Sequence, residues 1–162
     1  MAKEKMPVTA AIRHLRSEKV QFSEHLYQYE EKGGTAVSAR ELGVDEHSVI
    51  KTLVMEDERK NPLIVLMHGD CQVSTKELAR VMGVKIITPC SPETANRHTG
   101  YLVGGTSPFG TKKTVPVYLE ESIVSLPRIL LNGGKRGFLI GLDPAEVVRV
   151  LRPVLVKVAI KG

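Results

Sequence analysis

Three short segments of the sequence carry the residues best placed to do chemistry. Lys51 lies in the apolar stretch 49–56, where an internal lysine can offer positive charge to a bound anion. The stretch from Gly100 to Gly110 contains four glycines, which let backbone N–H groups approach a single ligand oxygen closely. Amides of this kind can hold a phosphate or stabilise the oxyanion of acyl transfer. The third segment, 132–137 (NGGKRG), predicts a tight turn that carries two positive charges.

Each segment also has a purely structural interpretation. Alternation along a half-buried strand would place Lys51 in solvent, and on the pattern alone this interpretation is favoured. The 100–114 segment would be a connector, and NGGKRG would be a hairpin turn. A connector this long is nevertheless more often functional or disordered than a plain link. No single segment therefore distinguishes a functional role from a structural one.

Established catalytic motifs are missing from the chain. It has no GxSxG elbow, no HExxH pair and no Walker A lysine loop. The run His68-Gly69-Asp70-Cys71 has metal-ligating residue types, but adjacent residues on an extended chain point in opposite directions and seldom share one ion. We therefore expect neither a metal nor an organic cofactor.

Composition favours a small basic protein of one domain, spanning residues 1–162. A net charge of +5 favours polyanionic partners, and the 4% aromatic content argues against recognition by base stacking. A nucleic acid would then be held through its phosphates. Two cysteines without a CxxC pair, no leader-like start and no long apolar run predict a soluble cytoplasmic protein without membrane contact.

Hydrophobic periodicity and capping signals predict a single mixed α/β domain, with a largely antiparallel sheet flanked by helices. Helices are predicted over 7–19, over 35–42 with Thr35 as the cap, and after the caps Ser74, Ser91 and Asp143. Strands are predicted over 20–29, 49–56, 63–67, 84–87, 115–119, 129–132, 138–142 and 153–160.

The three segments, in this order and at this spacing, resemble the YbaK/EbsC family of aminoacyl-tRNA deacylases. The resemblance rests on Val49-Ile-Lys51-Thr52-Leu53, on 99–110 (TGYLVGGTSPFG) and on 133–137 (GGKRG), and the 99–110 segment is the most specific. The family's fold also serves as the editing domain inserted in bacterial prolyl-tRNA synthetases. The resemblance covers nearly the whole chain.

This resemblance implies an enzyme that hydrolyses the ester of a mischarged tRNA, without a metal. Its implied catalytic residues are the essential lysine, Lys51, and the loop that grips the aminoacyl carbonyl, with Gly104, Gly105 and Pro108. Substrate contacts are expected from Tyr27, Thr52, Tyr101, Thr106, Ser107, Asn132 and Gly133. The implied partners are tRNA-Pro and prolyl-tRNA synthetase.

The implied substrate is tRNA-Pro carrying cysteine, but three departures leave alanine or another amino acid open, one of them being Gly69-Asp70 followed by Ser74-x-Lys76, which resembles the synthetase insertions. Gly33-Gly34-Thr35 stands where the cysteine-clearing members often have an aromatic residue, and Asn132 stands where they frequently have serine. We hypothesise that Asn132 sets the choice of amino acid, since an amide and a hydroxyl pair different groups. The alternative is that Asn132 only supports the glycine turn.

Two rival functions remain at this stage. A non-catalytic module would bind a tRNA end or a synthetase without cleaving the ester. A nucleotide-phosphate enzyme would use the glycine-rich segment as a phosphate cradle and would need a helix directly after it. The sequence 111–116 (TKKTVP) leads towards a strand, which disfavours this second rival. The oligomeric state is left open.

Overall fold

Local capping sets the start of four of the five α-helices in residues 5–161, the range that the computed structural model describes. Side-chain oxygens of Thr9, Ser74, Ser91 and Asp143 each accept a hydrogen bond from an amide in the first turn of the following helix. These helices are α1 (Ala10–Ser17), α3 (Thr75–Met82), α4 (Pro92–Thr99) and α5 (Pro144–Leu151). Three of the four caps predicted from the sequence, Ser74, Ser91 and Asp143, are confirmed.

The remaining helix, α2 (Gly34–Leu42), starts differently from the prediction. Its N-cap is Gly33 and not Thr35, because the Thr35 hydroxyl donates to the Glu46 carboxylate at 2.7 Å. Thr35 therefore ties the start of α2 to the turn that precedes the next strand. The end is as predicted, since Gly43 closes the helix with a left-handed φ of 67°.

Ten strands form one mixed sheet and a small two-stranded ribbon within the described range. Antiparallel pairing predominates and includes a hairpin of the second and third strands, so the predicted fold class is confirmed. The strands are β1 (Ser23–Leu26), β2 (Val49–Asp57), β3 (Pro62–His68), β4 (Cys71–Val73), β5 (Ile87–Pro89), β6 (Val117–Glu120), β7 (Ile129–Lys135), β8 (Phe138–Leu142), β9 (Val154–Val156) and β10 (Ala159–Lys161). The sheet order is β1-β8-β7-β2-β3-β6-β9 with β5 beside β2, and β4 pairs with β10.

Alternation along the central strands buries both faces of the sheet. On β3, Ile64 and Leu66 pack in the cluster that contains α1 and α5 residues, whereas Val65 and Met67 pack in the cluster that contains α3 residues. A third, smaller cluster joins α2 to β2, β7 and β8. Helices on both faces hold the centre of the sheet rigid.

Several predicted boundaries are wrong, for local reasons. Val8 is exposed because the Thr9 cap starts α1 after it. The strand predicted over 84–87 begins only at Ile87, as β5. Val84 belongs to the end of α3, because its amide donates to the carbonyl of Ala79. The 20–29 strand shrinks to β1, and β4 was not predicted at all.

The predicted last strand, 153–160, is two strands. β9 pairs with β6, whereas β10 pairs with β4. The buried Glu120 carboxylate accepts the amides of Val158 at 2.7 Å and Ala159 at 3.0 Å, between the two strands. These hydrogen bonds hold the point at which the chain changes partner.

Candidate active site

The sheet opens along one edge of β2, where two predicted site residues lie. On this edge β2 pairs with β7 only at Val49 and Ile50, and with β5 only from Met55 to Asp57. Within the described chain, residues 51–54 therefore have no neighbouring strand on this edge, while the opposite edge is paired with β3. The gap falls at Lys51 and Thr52.

A cavity of about 670 Å³ lies at this gap. Every residue from 49 to 55 contributes to its wall. Side chains of consecutive strand residues point to opposite faces of the sheet, so the cavity must run along the edge of β2 and not along one face. The facing walls come from α2, from the glycine-rich loop and from the ends of β7 and β8. The volume is typical of a site for a small molecule or for one end of a larger one. The polar and loop residues of the cavity wall include Tyr27, Tyr29, Lys51, Thr52, Cys90, Val103, Gly104, Thr106, Asn132 and Arg136.

Lys51 and Thr52 bring unsatisfied polar groups to this cavity. Within residues 5–161, no ion pair involves Lys51. The Thr52 hydroxyl oxygen is buried and, among the described residues, has no hydrogen-bond partner. A buried polar group without a partner costs free energy, which a ligand that pairs with it would recover. The pair can therefore accept an anionic, hydrogen-bonding substrate.

Three of the four glycines in the loop 100–114 are required by close packing. Gly104 has a left-handed φ of 85°, and a Cβ at this position would lie 2.6 Å from the Tyr29 hydroxyl. At Gly105, a Cβ would lie 2.8 Å from the Arg136 amide nitrogen. At Gly110, with φ 64°, it would lie 2.4 Å from the Ala10 carbonyl oxygen. The loop is thus pressed against three separate elements, which fixes its position over the cavity.

The amides of the loop differ in what they can offer a substrate. The Gly105 amide already donates to the Leu102 carbonyl at 2.8 Å, and Pro108 has no amide hydrogen and is buried. Gly104 and Thr106 line the cavity, and within the described range neither amide donates to another backbone group. Gly104 and Thr106 therefore keep amides that no described backbone group accepts, whereas Gly105 and Pro108 have no free N–H to offer, contrary to the sequence prediction for the whole segment from Gly104 to Pro108.

Three predicted substrate contacts lie outside the cavity wall. Tyr101 is buried and donates its hydroxyl to the Phe109 carbonyl at 2.6 Å, and burial raises its pKa to about 12. Ser107 is fully buried and accepts the Phe109 amide at 3.2 Å. Gly133 is buried, and a Cβ there would lie 2.5 Å from the Phe138 ring. These residues hold the loop and the turn, so the prediction that they contact substrate is corrected.

Asn132 lines the cavity, but its amide is engaged by the protein. Its Oδ1 accepts the amides of Gly134 at 2.6 Å and Lys135 at 3.1 Å, and its Nδ2 donates to the Gly104 carbonyl at 3.0 Å. One side chain therefore joins the glycine turn of β7 to the glycine-rich loop. This arrangement favours the structural alternative over the hypothesis that Asn132 selects the amino acid.

Tyrosine and arginine side chains complete the wall. Tyr27 lines the cavity as predicted, and burial raises the pKa of its phenol. Tyr29 and Arg136 were not predicted: the Arg136 guanidinium lies 5.3 Å from the centre of the Tyr29 ring, and its Nε donates to the Val103 carbonyl at 2.7 Å. Two sequence features could have indicated them: Arg136 is the second residue of the KR pair in NGGKRG, and Tyr29 follows Tyr27 by two residues.

Cys90 is the cysteine of the cavity wall. Burial, and then the nearby Glu56 carboxylate, raise the pKa of its thiol to about 11. Because the thiolate is the reactive form of cysteine, Cys90 is a poor nucleophile near neutral pH.

Metal-ligating side chains meet elsewhere, outside the cavity wall. His47 Nδ1, an Asp70 oxygen and Cys71 Sγ lie within 4.8 Å of one another, and His47 Nδ1 hydrogen-bonds Asp70 Oδ1 at 2.9 Å. His68 is not part of this group, because its two ring nitrogens bond the His47 carbonyl and the Ser122 hydroxyl. Sequence reasoning missed His47, which lies 23 residues before Asp70.

Comparison with known proteins agrees with this geometry. The aminoacyl-tRNA editing domain family matches residues 30–150, which include the gap in β2, the glycine-rich loop and the β7–β8 turn. The chain belongs to this family. Membership confirms the sequence prediction of an enzyme that edits aminoacyl-tRNA.

Relatives of the family include free-standing and inserted domains. The chain is 33% identical, over 91% of its length and 92% of the relative, to an Enterococcus faecalis protein provisionally named Cys-tRNA(Pro)/Cys-tRNA(Cys) deacylase EbsC. It is 29% identical, over 53% of its length, to 15% of the proline–tRNA ligase of Brachyspira hyodysenteriae. The fold matches a crystal structure of a protein provisionally described as a trans-editing enzyme for prolyl-tRNA synthetase, with a TM-score of 0.80, 20% identity and coverage of 94% of this chain and 98% of that one.

No helix in the described part of the chain combines the length and the apolar character that crossing a membrane requires.

Proposed function

We propose that the protein hydrolyses the ester between cysteine and the terminal ribose of tRNA-Pro. One observation carries this proposal: Lys51 and Thr52, at the gap in β2, line the same cavity as Gly104 and Thr106, whose amides donate to no described backbone group. A positive charge and two unused amides at one site suit the stabilisation of the negative charge that develops on the carbonyl oxygen in acyl transfer. The cysteine-specific name of the Enterococcus faecalis relative supports the choice of amino acid.

The aminoacyl ester is an activated bond, so orientation of the reacting groups and stabilisation of the developing charge are enough to accelerate its cleavage. Lys51 anchors the anionic 3′ end or places its charge near the carbonyl, and Thr52 pairs a ribose hydroxyl or the α-amino group. The amides of Gly104 and Thr106 stabilise the oxyanion as the carbonyl becomes tetrahedral. No residue of the protein needs to form a covalent bond with the substrate.

With a cysteinyl ester, the substrate supplies its own nucleophile. Its thiol sulfur bonds the carbonyl carbon, the ester C–O bond breaks, and the thiol proton passes to the ribose oxygen. Water then opens the cyclic thioester and releases cysteine. The high pKa of Cys90 supports this route over attack by the protein, because that thiol is protonated near neutral pH.

The proposed partners are mischarged tRNA-Pro and prolyl-tRNA synthetase, in the cytoplasm. The proline–tRNA ligases that align with the chain carry the related segment within their own length. A separate protein that edits the same tRNA would act when the synthetase releases it.

A deacylation panel tests the proposal. Cysteinyl-, alanyl-, seryl- and prolyl-tRNA-Pro are each incubated with the protein, and the remaining ester is measured over time. We expect the cysteinyl ester to disappear fastest and the prolyl ester to survive. Preferred loss of the alanyl ester would replace cysteine by alanine as the substrate. Protection of every ester would identify a binding module without catalysis.

A further inference from the structure

A second cavity lies beside the first one and shares part of its wall. Its volume is about 560 Å³, and Tyr27, Tyr29 and Arg136 line both cavities. Lys5 and Lys135 line the second cavity alone. The two cavities therefore form neighbouring compartments, separated by two tyrosines and one arginine.

The second cavity is strongly basic. It brings together the positive charges of Lys5, Lys135 and Arg136, and no aspartate or glutamate is among its lining residues. Within residues 5–161, none of these three side chains takes part in an ion pair. Three cations without counterions in one concave surface attract a chain of phosphates.

Contacts of the protein position the Arg136 charge and the backbone of Lys135. The Arg136 guanidinium bonds the Val103 carbonyl through Nε and stacks against Tyr29, which leaves its other nitrogens available. Lys135 is held at the end of β7, where its amide bonds Asn132 Oδ1. Arg136 thus links the loop of the first cavity to the basic surface of the second.

We propose that the second cavity binds the phosphates of the single-stranded RNA nucleotides that precede the terminal adenosine, while the first cavity holds the aminoacyl ester. This proposal rests on the proposed function, which requires an RNA end to enter the first cavity. The shared tyrosines offer flat rings beside the path, as in sites that combine basic grooves with aromatic contacts to single strands. Recognition would be of backbone and not of base sequence.

Binding of RNA without an ester tests the second cavity independently of hydrolysis. The probe is a single-stranded RNA oligonucleotide ending in CCA, and its affinity is measured by fluorescence anisotropy across salt concentrations. Lys5→Gln/Lys135→Gln should weaken binding by about tenfold or more and reduce the slope of log K against log salt by about 1.4, from about 0.7 for each phosphate contact on a single strand. The matched control is Lys76→Gln/Lys161→Gln, which removes the same charge from exposed positions outside both cavities.

Equal losses in the two double variants would overturn the proposal, because net charge alone would then explain the affinity. An unchanged slope in Lys5→Gln/Lys135→Gln would overturn it as well.

Hydrolysis supplies a second arm. Lys5→Gln/Lys135→Gln should lower kcat/KM at least tenfold more for cysteinyl-tRNA than for cysteinyl-adenosine, which lacks the preceding phosphates. Failure of the wild-type protein to cleave either substrate would refute the proposed function, while the RNA-binding arm would still decide the role of the second cavity. Equal losses on both substrates would contradict the separation into two compartments.

Discussion

Two walls of the first cavity are built on different principles. The strand wall, residues 51–54 of β2, belongs to a regular strand whose other edge is paired with β3. The loop wall, residues 102–106, has no regular structure and is held by contacts at its glycines and by hydrogen bonds from Asn132 and Arg136. In the proposed function, the strand wall offers side chains to the substrate, whereas the loop wall offers backbone amides.

Because of this difference, substitutions in the two walls should affect activity and stability differently. The backbone of the strand wall is supported whatever side chain it carries, so a change at Lys51 leaves the fold intact. The backbone of the loop wall is itself the surface proposed to bind the oxyanion, and it is fixed by contacts at Gly104 and Gly105 that admit no Cβ. A change in the loop wall should therefore affect the activity and the free energy of unfolding together.

The sharpest test of the strand wall is Lys51→Ala. We expect kcat/KM for the mischarged tRNA to fall by about a hundredfold or more, as when one electrostatic contact to a transition state is removed. The melting temperature should hardly change, since substitutions away from the core usually alter stability by under about 0.5 kcal/mol. Lys76→Ala, on the exposed side of α3, is the control and should keep full activity. Near-normal activity of Lys51→Ala would remove Lys51 from the site.

The corresponding test of the loop wall is Gly104→Ala. The left-handed φ of 85° and the Tyr29 hydroxyl 2.6 Å from the new Cβ should displace the loop, lower activity by about tenfold or more, and cost about 1–3 kcal/mol of stability. Gly83→Ala is the matched control, because Gly83 has a φ of 72° but open space around its Cβ position. It should lose stability and keep its activity. Loss of activity in both variants would mean that backbone strain at a distant site is enough to lower activity. The result for Gly104→Ala would then not show a special role for the loop wall.

Asn132→Ser tests the bond between the loop wall and the β7 turn. One hydroxyl cannot reach the Gly104 carbonyl and also accept the amides of Gly134 and Lys135, so about 1–3 kcal/mol of stability should be lost. Cleavage of cysteinyl- and alanyl-tRNA-Pro should fall together, with their ratio preserved within about twofold. Thermal melting and the two rates decide the matter. A tenfold change in the ratio would restore the hypothesis that Asn132 selects the amino acid.

The same contrast explains how far the sequence was informative. The place of Lys51 and Thr52 on a strand was predictable, because the apolar stretch 49–56 indicates a regular strand. Their catalytic and binding roles stay predictions. In the loop, residue types identified the segment but not the role of each member: Tyr101 and Ser107 turn inwards, and the Gly105 amide is used within the loop. Such roles depend on packing against α1, Tyr29 and the β7–β8 turn, contacts between residues far apart in sequence. The break in pairing along β2 is likewise a property of the sheet and leaves no local signal.

The smallest effect is expected at Cys90, which lines the cavity but belongs to neither wall. A pKa of about 11 leaves roughly one thiolate in ten thousand at pH 7, so iodoacetamide should react slowly with the folded Cys71→Ser variant and rapidly after denaturation. Reactivity should rise steadily as the pH approaches 11, because a raised pKa moves ionisation upwards. Cys90→Ser should retain its deacylase activity within about threefold, since the strand wall and the loop wall hold the groups that act on the ester. Loss of activity in Cys90→Ser, together with fast alkylation of the folded protein at pH 7, would make Cys90 a nucleophile and add a third functional wall to the cavity.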